Sequence, residues 1–420
     1  MNVLLLRDVV AILLAGGAGE RLYPLTRDRA KPAVSFGGAY RVIDFTLSNC
    51  VNSGLRKIFI ATQYKAQSLN RHVRMGWSVV NPELGEFIEI LPPQKRVGEN
   101  WYLGTADAVY QNLYSLQREQ PRWVIILSAD HIYKMDYGRM LDVHIARGAA
   151  LTIGAIDVPL ADSRRFGILD VDEDGRVSGF QEKPLTARSL PWHEGWCLAS
   201  MGIYIFDVEL LVRELRRDAE QPSSHDFGRD IIPRLVGGGD KVYAHLFWDE
   251  NKKEARYWRD IGTLDAYYEA SMDLVQIDPV FNLYDPDWPL RTYQPQYPPA
   301  KFVFDEDHRR GSAVQSLVSM GCIVSGSSVL RSILSPGTRV HSYCAIEDSI
   351  LMPNTTVHRY CRIRRAIVDR EVEVPRGAVI GYDPAEDRRR HTVTEGGVVV
   401  VTPGEECFVD PQHARPLVNR

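Results

Sequence analysis

The 420-residue chain has six cysteines but no Cys-x-x-Cys pair, so the common zinc and thiol-redox motifs are absent. No apolar run approaches the length of a membrane helix. The opening residues Met-Asn-Val-Leu-Leu-Leu-Arg-Asp carry no small-residue cleavage site, so no signal peptide is expected. Neither sign of charge dominates. Fifty Lys and Arg against 54 Asp and Glu give a net charge of -4, with no global pull toward nucleic acid or membrane. A cytoplasmic, reducing setting is expected. Two phosphate motifs are also missing. A Walker A loop ends Gly-Lys-Ser/Thr, whereas the first glycine loop here ends Gly-Glu-Arg-Leu. The dinucleotide fingerprint needs a third glycine where Leu22 stands. A P-loop ATPase and a dehydrogenase are therefore disfavoured.

What is present starts with that loop. Val9 to Leu14 is a continuous apolar run, which reads as a buried strand of a parallel sheet. Gly16, Gly17 and Gly19 follow at once. Glycines at the carboxyl edge of a strand let backbone amides approach an anion, and Arg21 and Lys31 would supply cations for a triphosphate.

Residues 1–285 alternate apolar runs with helical patterns, as an α/β parallel sheet does. Lys57–Thr62, Trp123–Ser128 and Leu151–Ile156 read as further buried strands. The spacing predicts a helix over Thr105–Arg118 with Thr105 as its N-cap. Ile168 to Val177 reads as a hairpin around Asp174-Gly175. Residues 286–310 read as a proline-rich linker; Pro286, Pro289, Pro295, Pro298 and Pro299 exclude helix and central strand there.

From 311 to 420 the chain repeats. Ile323, Val340, Val357 and Val374 are 17 residues apart. So are Val329, Ile346, Ile363 and Ile380, and Leu317, Leu334, Leu351 and Val368. Steps of 6, 5 and 6 within each period describe a triangular coil with one inward aliphatic per side: a left-handed parallel β-helix of hexapeptide repeats. Cys344 and Cys361 share the spacing and read as a ladder inside the coil. His341 and His358 also share it, which raises acyl transfer as a rival function. They directly follow inward valines, so they are expected to face outward.

Three further stretches carry chemistry. Asp130 ends an apolar strand, where a carboxylate facing a triphosphate needs a divalent cation between them; Asp260, in Tyr-Trp-Arg-Asp-Ile-Gly-Thr, would be the second carboxylate. Trp101 and Tyr102, with Gly104, precede a helix start that suits an anion or a sugar hydroxyl. Glu182 and Lys183 end a strand side by side, an acceptor for hydroxyls beside a point charge for a monophosphate.

Together these residues resemble the bacterial glucose-1-phosphate adenylyltransferases. The resemblance covers nearly the whole chain. It rests on Trp-Tyr-Leu-Gly-Thr-Ala-Asp-Ala-Val at 101–109, Ala-Ser-Met-Gly-Ile-Tyr-Ile-Phe at 199–206, Ala-Lys-Pro-Ala-Val at 30–34, Arg-Val-Ile-Asp-Phe at 41–45, Leu-Ser-Asn-Cys at 47–50 and Ser-His-Asp-Phe-Gly at 224–228. It implies a Rossmann-like nucleotidyltransferase domain followed by the β-helix, and a homotetramer. It implies a reaction of ATP with glucose-1-phosphate that gives ADP-glucose and pyrophosphate in glycogen synthesis. It places Tyr102, Gly167, Glu182, Lys183 and Ser200 against the glucosyl group, Mg²⁺ on Asp130 and Asp260, and the ATP phosphates on Arg21 and Lys31. Sugar-phosphate or nucleotide effectors are implied, with Arg29 and Arg41 at matching positions and the run Arg388-Arg389-Arg390 as a further candidate.

Two positions depart from the family pattern. Glu20 stands where Ser, Thr or Lys is usual, and is expected to point away from phosphate. Asp28 stands where enterobacterial members have a Lys tied to fructose-1,6-bisphosphate activation, and would repel that ligand. A non-catalytic regulatory subunit, the second rival, should have lost some of Arg21, Lys31, Asp130, Lys183 or Asp260; all five are present.

Overall fold

The apolar run after residue 8 forms strand Val9–Ala15, buried along almost its whole length. The computed structural model describes residues 5–93, 101–253, 256–306 and 309–412; the opening residues 1–4 fall outside these. By contacts the chain divides into two compact units that interleave along the sequence. One comprises Met1–Gly17, Thr46–Ala129 and Lys134–Lys252; the other comprises Ala18–Phe45, Asp130–Tyr133 and Lys253–Arg420.

The first unit is built on a nine-stranded sheet. Val9–Ala15 pairs in parallel with Lys57–Thr62 on one side and Trp123–Ser128 on the other, and Lys57–Thr62 pairs in parallel with Phe87–Leu91. Strands buried on both faces read as unbroken apolar runs, which is why their bounds are legible. Trp196–Asp207 runs antiparallel to Trp123–Ser128 and to Leu151–Pro159. Its register shifts between Ser200 and Tyr204, where Gly202 has φ +69°. Ser200, still paired with Ala155, is the last residue of the ladder before this bulge. The expected hairpin is present as Gly167–Val171 against Val177–Glu182.

The expected helix over 105–118 is instead two short helices, Thr105–Tyr110 and Leu113–Arg118. The break has a local cause. Asn112 turns its Nδ2 back onto the carbonyl of Ala108 at 2.8 Å, a competing bond that Asn offers readily.

In the second unit the coils stack as parallel strands on three faces. Val340, Val357 and Val374 lie in register, as do Val329, Ile346, Ile363 and Ile380, and Leu334, Leu351 and Val368. The first coil departs from the 17-residue rule. Val340 pairs with Val324 rather than Ile323, and Leu334 with Val318 rather than Leu317. The corner after Val324 is one residue shorter than its successors, so the period there is 16 and the inward residue moves by one.

Within the 286–310 stretch, Lys301–Val303 pairs in parallel with Ile323–Ser325. All six cysteines are free and buried, and Cys344 and Cys361 sit within the coil's core. His341 and His358 are only partly buried and stack 5.3 Å apart, 2° from parallel. Among the described residues no helix is long and apolar enough to cross a membrane.

Candidate active site

The division between units falls inside the glycine loop: Gly16 and Gly17 belong to the first, Gly19 and Arg21 to the second. Each unit brings its own set of candidate residues together.

In the first unit the 101–109 motif is bolted to the 224–228 motif. The main-chain oxygen of His225 accepts from the amides of Ala106 at 2.8 Å and Asp107 at 3.3 Å. It thereby caps the helix start that Thr105 was expected to cap. The Thr105 hydroxyl instead donates to Asp226 Oδ2 at 2.9 Å and accepts from the Phe227 amide at 3.0 Å. His225 itself has φ +54° and is held by Asp218 Oδ2, 2.8 Å from its Nδ1.

Tyr102 is fixed at both ends. Its amide donates to Gln63 Oε1, and its hydroxyl accepts from Asn112 Nδ2, both at 2.9 Å. A Cβ on Gly16 would lie 3.3 Å from Gln63 Cβ and 3.8 Å from Tyr102 Cδ2, so the start of the glycine loop abuts Tyr102. Trp101 is exposed and stacks on Tyr64, with ring centroids 5.3 Å apart.

Glu182 sits where Cβ atoms on Gly167 and Gly228 would come within 2.8 and 2.7 Å of its Oε2. The two glycines leave that carboxylate its room. Burial, opposed by Lys183 and assisted by Asp226, raises its pKa above the usual glutamate value. Lys183, at φ +50°, is half exposed, with Nζ 3.8 Å from Glu182 Oε1. Ser200 is buried, with its Oγ 3.5 Å from the Tyr204 hydroxyl.

In the second unit a two-stranded ribbon does the assembling. His131–Tyr133 pairs antiparallel with Trp258–Asp260, and its register sets Asp260 opposite His131. Asp130, His131 and Asp260 thus bring one ligand atom each to within 4.8 Å of one another. His131 Nε2 is 3.5 Å from Asp130 Oδ1 and 4.0 Å from Asp260 Oδ1. Its Nδ1 is buried without a hydrogen-bond partner among the described residues. The two carboxylates are oxygen donors of the kind a hard divalent cation takes, and His131 adds a nitrogen beside them.

The Lys31 ammonium lies 2.7 Å from Asp130 Oδ2 and 3.4 Å from Asp260 Oδ1. Burial works against its charge, but Asp130 and Asp260 outweigh burial and hold its pKa above the usual lysine value. Arg21 is exposed, and its Nη2 would be 3.0 Å from a Cβ on Gly262. Glu20 is also exposed.

The residues matched to an effector site have fixed partners. Arg29 is 3% exposed, and its Nη2 bonds Asp369 Oδ1 at 2.5 Å, so it is a buried pin rather than a solvent-facing cation. Arg41 is half-buried. Burial pushes its pKa down to about 10, countered by Asp44 and deepened by Arg370 and Arg29. Arg389 and Arg390 both pair with Glu386 on their own helix. Asp28 is exposed and paired with Arg27 at 2.9 Å.

The sequence patterns pass over His131 and Gln63. His131 adjoins Asp130 in sequence, so its signal is adjacency; Gln63 follows a buried strand directly and is readable as an edge residue.

The nucleotidyl transferase family matches residues 10–277, and the GlmU-like C-terminal hexapeptide family matches residues 298–401. A glucose-1-phosphate adenylyltransferase of Koribacter versatilis is 59% identical over 407 residues, covering 96% of this chain and 97% of the relative. Proteins of the same name from Rhodopirellula baltica and Nitrosospira multiformis are 53% and 52% identical, covering 96% and 94% of this chain and 91% and 94% of their own lengths. The chain belongs to the glucose-1-phosphate adenylyltransferase family. It is a nucleotidyltransferase with a hexapeptide β-helix, and enzymes of this class work with a divalent metal ion.

Proposed function

We propose that the protein transfers AMP from ATP to glucose-1-phosphate, giving ADP-glucose and pyrophosphate, as the regulated first step of glycogen synthesis in the cytoplasm. The observation that carries this reading is the convergence of Asp130, Asp260 and Lys31, three residues that are 229 positions apart at the extremes.

A phosphate oxygen of glucose-1-phosphate attacks the α-phosphorus of ATP, and the bond to the pyrophosphate oxygen breaks. A phosphomonoester with a second pKa near ~6 is already mostly dianionic at neutral pH, so no general base is required. The work is positioning and charge neutralisation. Lys183 holds the sugar phosphate. Glu182, with Tyr102, Ser200 and the space left by Gly167, receives the glucosyl group. Gly16, Gly17 and Gly19 let backbone approach ligand, Gly104 lets the 101–109 motif close on His225 and so places Tyr102 for the substrate, and Arg21 and Lys31 bind the ATP phosphates. Asp130 and Asp260 would hold Mg²⁺, with His131 beside them. That ion, when bound, supplies charge stabilisation at the α-phosphate and leaving group.

Residues 1–285 are read as the catalytic part, 286–310 as a linker, and 311–420 as the part that serves a homotetramer and effector control. Sugar phosphates or nucleotides are the proposed effectors, with Arg41 and Arg29, the latter pinned to Asp369, as the residues of their site.

The test is pyrophosphate release with glucose-1-phosphate, Mg²⁺ and each of ATP, UTP, dTTP and CTP, with and without a panel of glycolytic metabolites. A strong preference for ATP that a metabolite changes supports the reading. A preference for UTP or dTTP overturns the assigned product, and absence of turnover with any nucleotide returns the regulatory-subunit reading.

A further inference from the structure

We propose that Lys31 competes with the divalent metal: its ammonium serves as counter-ion to Asp130 and Asp260 in the metal-free protein, and a metal takes those carboxylates only by displacing it. This rests on the metal assignment above and adds an order of events to it.

The geometry gives the reason. Lys31 Nζ contacts Asp130 Oδ2 at 2.7 Å and Asp260 Oδ1 at 3.4 Å, so one ammonium spans the two carboxylates that would ligate a metal. The side chain is only 9% exposed, against 29% for Asp130 and 20% for Asp260. The cation therefore lies on the buried side of its partners, where water screens it poorly. Lys31 takes one oxygen of each carboxylate, and an ammonium and a divalent ion within a few ångströms repel each other, so the two compete for the pair.

The backbone at Lys31 is fixed while the side chain is long. Residues Lys31–Ala33 form a 3-10 turn with Pro32 inside it, and the Val34 amide closes on the Lys31 carbonyl at 3.0 Å. A displaced ammonium would therefore swing about a rigid base rather than take the loop with it. Freed from the carboxylates, it needs another anion, and a nucleotide triphosphate supplies one. Metal and nucleotide then bind with positive coupling, which by linkage is equal in both directions.

The test is binding of Mn²⁺ alone to the full chain, followed by electron paramagnetic resonance of the free ion. The wild type, Lys31→Gln, Lys31→Arg, Asp130→Asn and the double variant Lys31→Gln/Asp130→Asn are compared without nucleotide. Lys31→Gln is expected to bind one Mn²⁺ at least about tenfold tighter than wild type, within the range by which groups contacting metal ligands tune affinity. Lys31→Arg, which keeps a cation, is expected to stay near wild type, and the double variant to lose the gain.

A second measurement needs no variant. Labelling of Lys31 by acetic anhydride, read by peptide mass spectrometry, is expected to rise several-fold when Mn²⁺ is added to the wild type. Equal or weaker Mn²⁺ binding by Lys31→Gln, with labelling of the wild type unmoved, overturns the competition while leaving the metal site in place. Mn²⁺ binding that Asp130→Asn does not weaken in any background overturns the metal assignment itself, and the competition with it.

Discussion

The Cβ that Gly104 lacks would lie 2.3 Å from the main-chain oxygen of His225. No real Cβ tolerates that distance to backbone, so the 101–109 motif and the 224–228 motif can meet only with glycine at this position. The same oxygen caps the helix that begins at Thr105.

Gly104→Ala is therefore expected to push the 101–105 segment off His225 and to move Tyr102 with it. Misplacements of about 1 Å cost up to roughly a hundredfold in activity. We expect the KM for glucose-1-phosphate to rise at least about tenfold while the KM for ATP moves little. Steady-state kinetics with each substrate varied in turn measures this, and equal changes in both KM values would point to general destabilisation instead.

Arg29 and Asp369 form a buried pair inside the second unit. Removing one partner strands the other charge, which typically costs about 3–5 kcal/mol. Arg29→Ala and Asp369→Ala are each expected to lower the melting temperature, and Arg29→Met/Asp369→Leu to recover much of the loss. If Arg29 instead serves mainly as a ligand contact, Arg29→Ala leaves the melting temperature unchanged and alters only the effector response.

The 16-residue first coil makes a sharp comparison. Val324 is buried in the coil's core, whereas Ile323 is half-buried. Val324→Ala is expected to cost about 2 kcal/mol, more than Ile323→Ala despite the smaller side chain removed. Thermal unfolding of the two variants decides between this register and an unbroken 17-residue period.

Glu182 gives a pH prediction. Its carboxyl gains proton affinity in the fold, chiefly from burial, so it protonates at a pH above the ordinary glutamate value of 4.5. Its protonated form favours the fold. That contribution is complete below the unfolded value and is lost as pH rises through the higher folded one. Substrate binding has the opposite sense: the carboxylate acceptor is lost as pH falls through the folded value. The KM for glucose-1-phosphate is expected to climb with acidification in that window, and Glu182→Gln to remove the climb while raising KM at neutral pH.

The parts of this protein legible from sequence are those where one rule acts alone. Strands Lys57–Thr62 and Trp123–Ser128 have the bounds their apolar runs indicate, because burial on both faces tolerates nothing else. The coil period is legible because each inward aliphatic stacks on the next. Two things are not. Helix 105–118 breaks because Asn112 serves Tyr102 and its own backbone at once, a tertiary demand that periodicity does not register.

The coil also has a second apolar set. Ile333, Ile350, Ile367 and Val400 pack with Tyr267, Tyr268 and Phe36, while their neighbours Leu334, Leu351, Val368 and Val401 fill the coil. The paired aliphatics at 333–334, 350–351 and 367–368 carry that signal in plain view. The metal-ligand set is half legible. Asp130 stands out as the carboxylate that ends an apolar strand, with His131 next to it, but Asp260 is set opposite His131 only by the pairing of two short strands far apart in sequence.

The measurement that bears most directly on the assigned chemistry is ADP-glucose formation by Asp130→Asn at saturating Mg²⁺, ATP and glucose-1-phosphate, alongside its circular dichroism and melting temperature. The substitution keeps the side chain's shape and removes the charge that would ligate metal. The expected result is an intact fold with turnover reduced at least about a hundredfold. Turnover near that of the wild type would contradict a metal-holding role for Asp130.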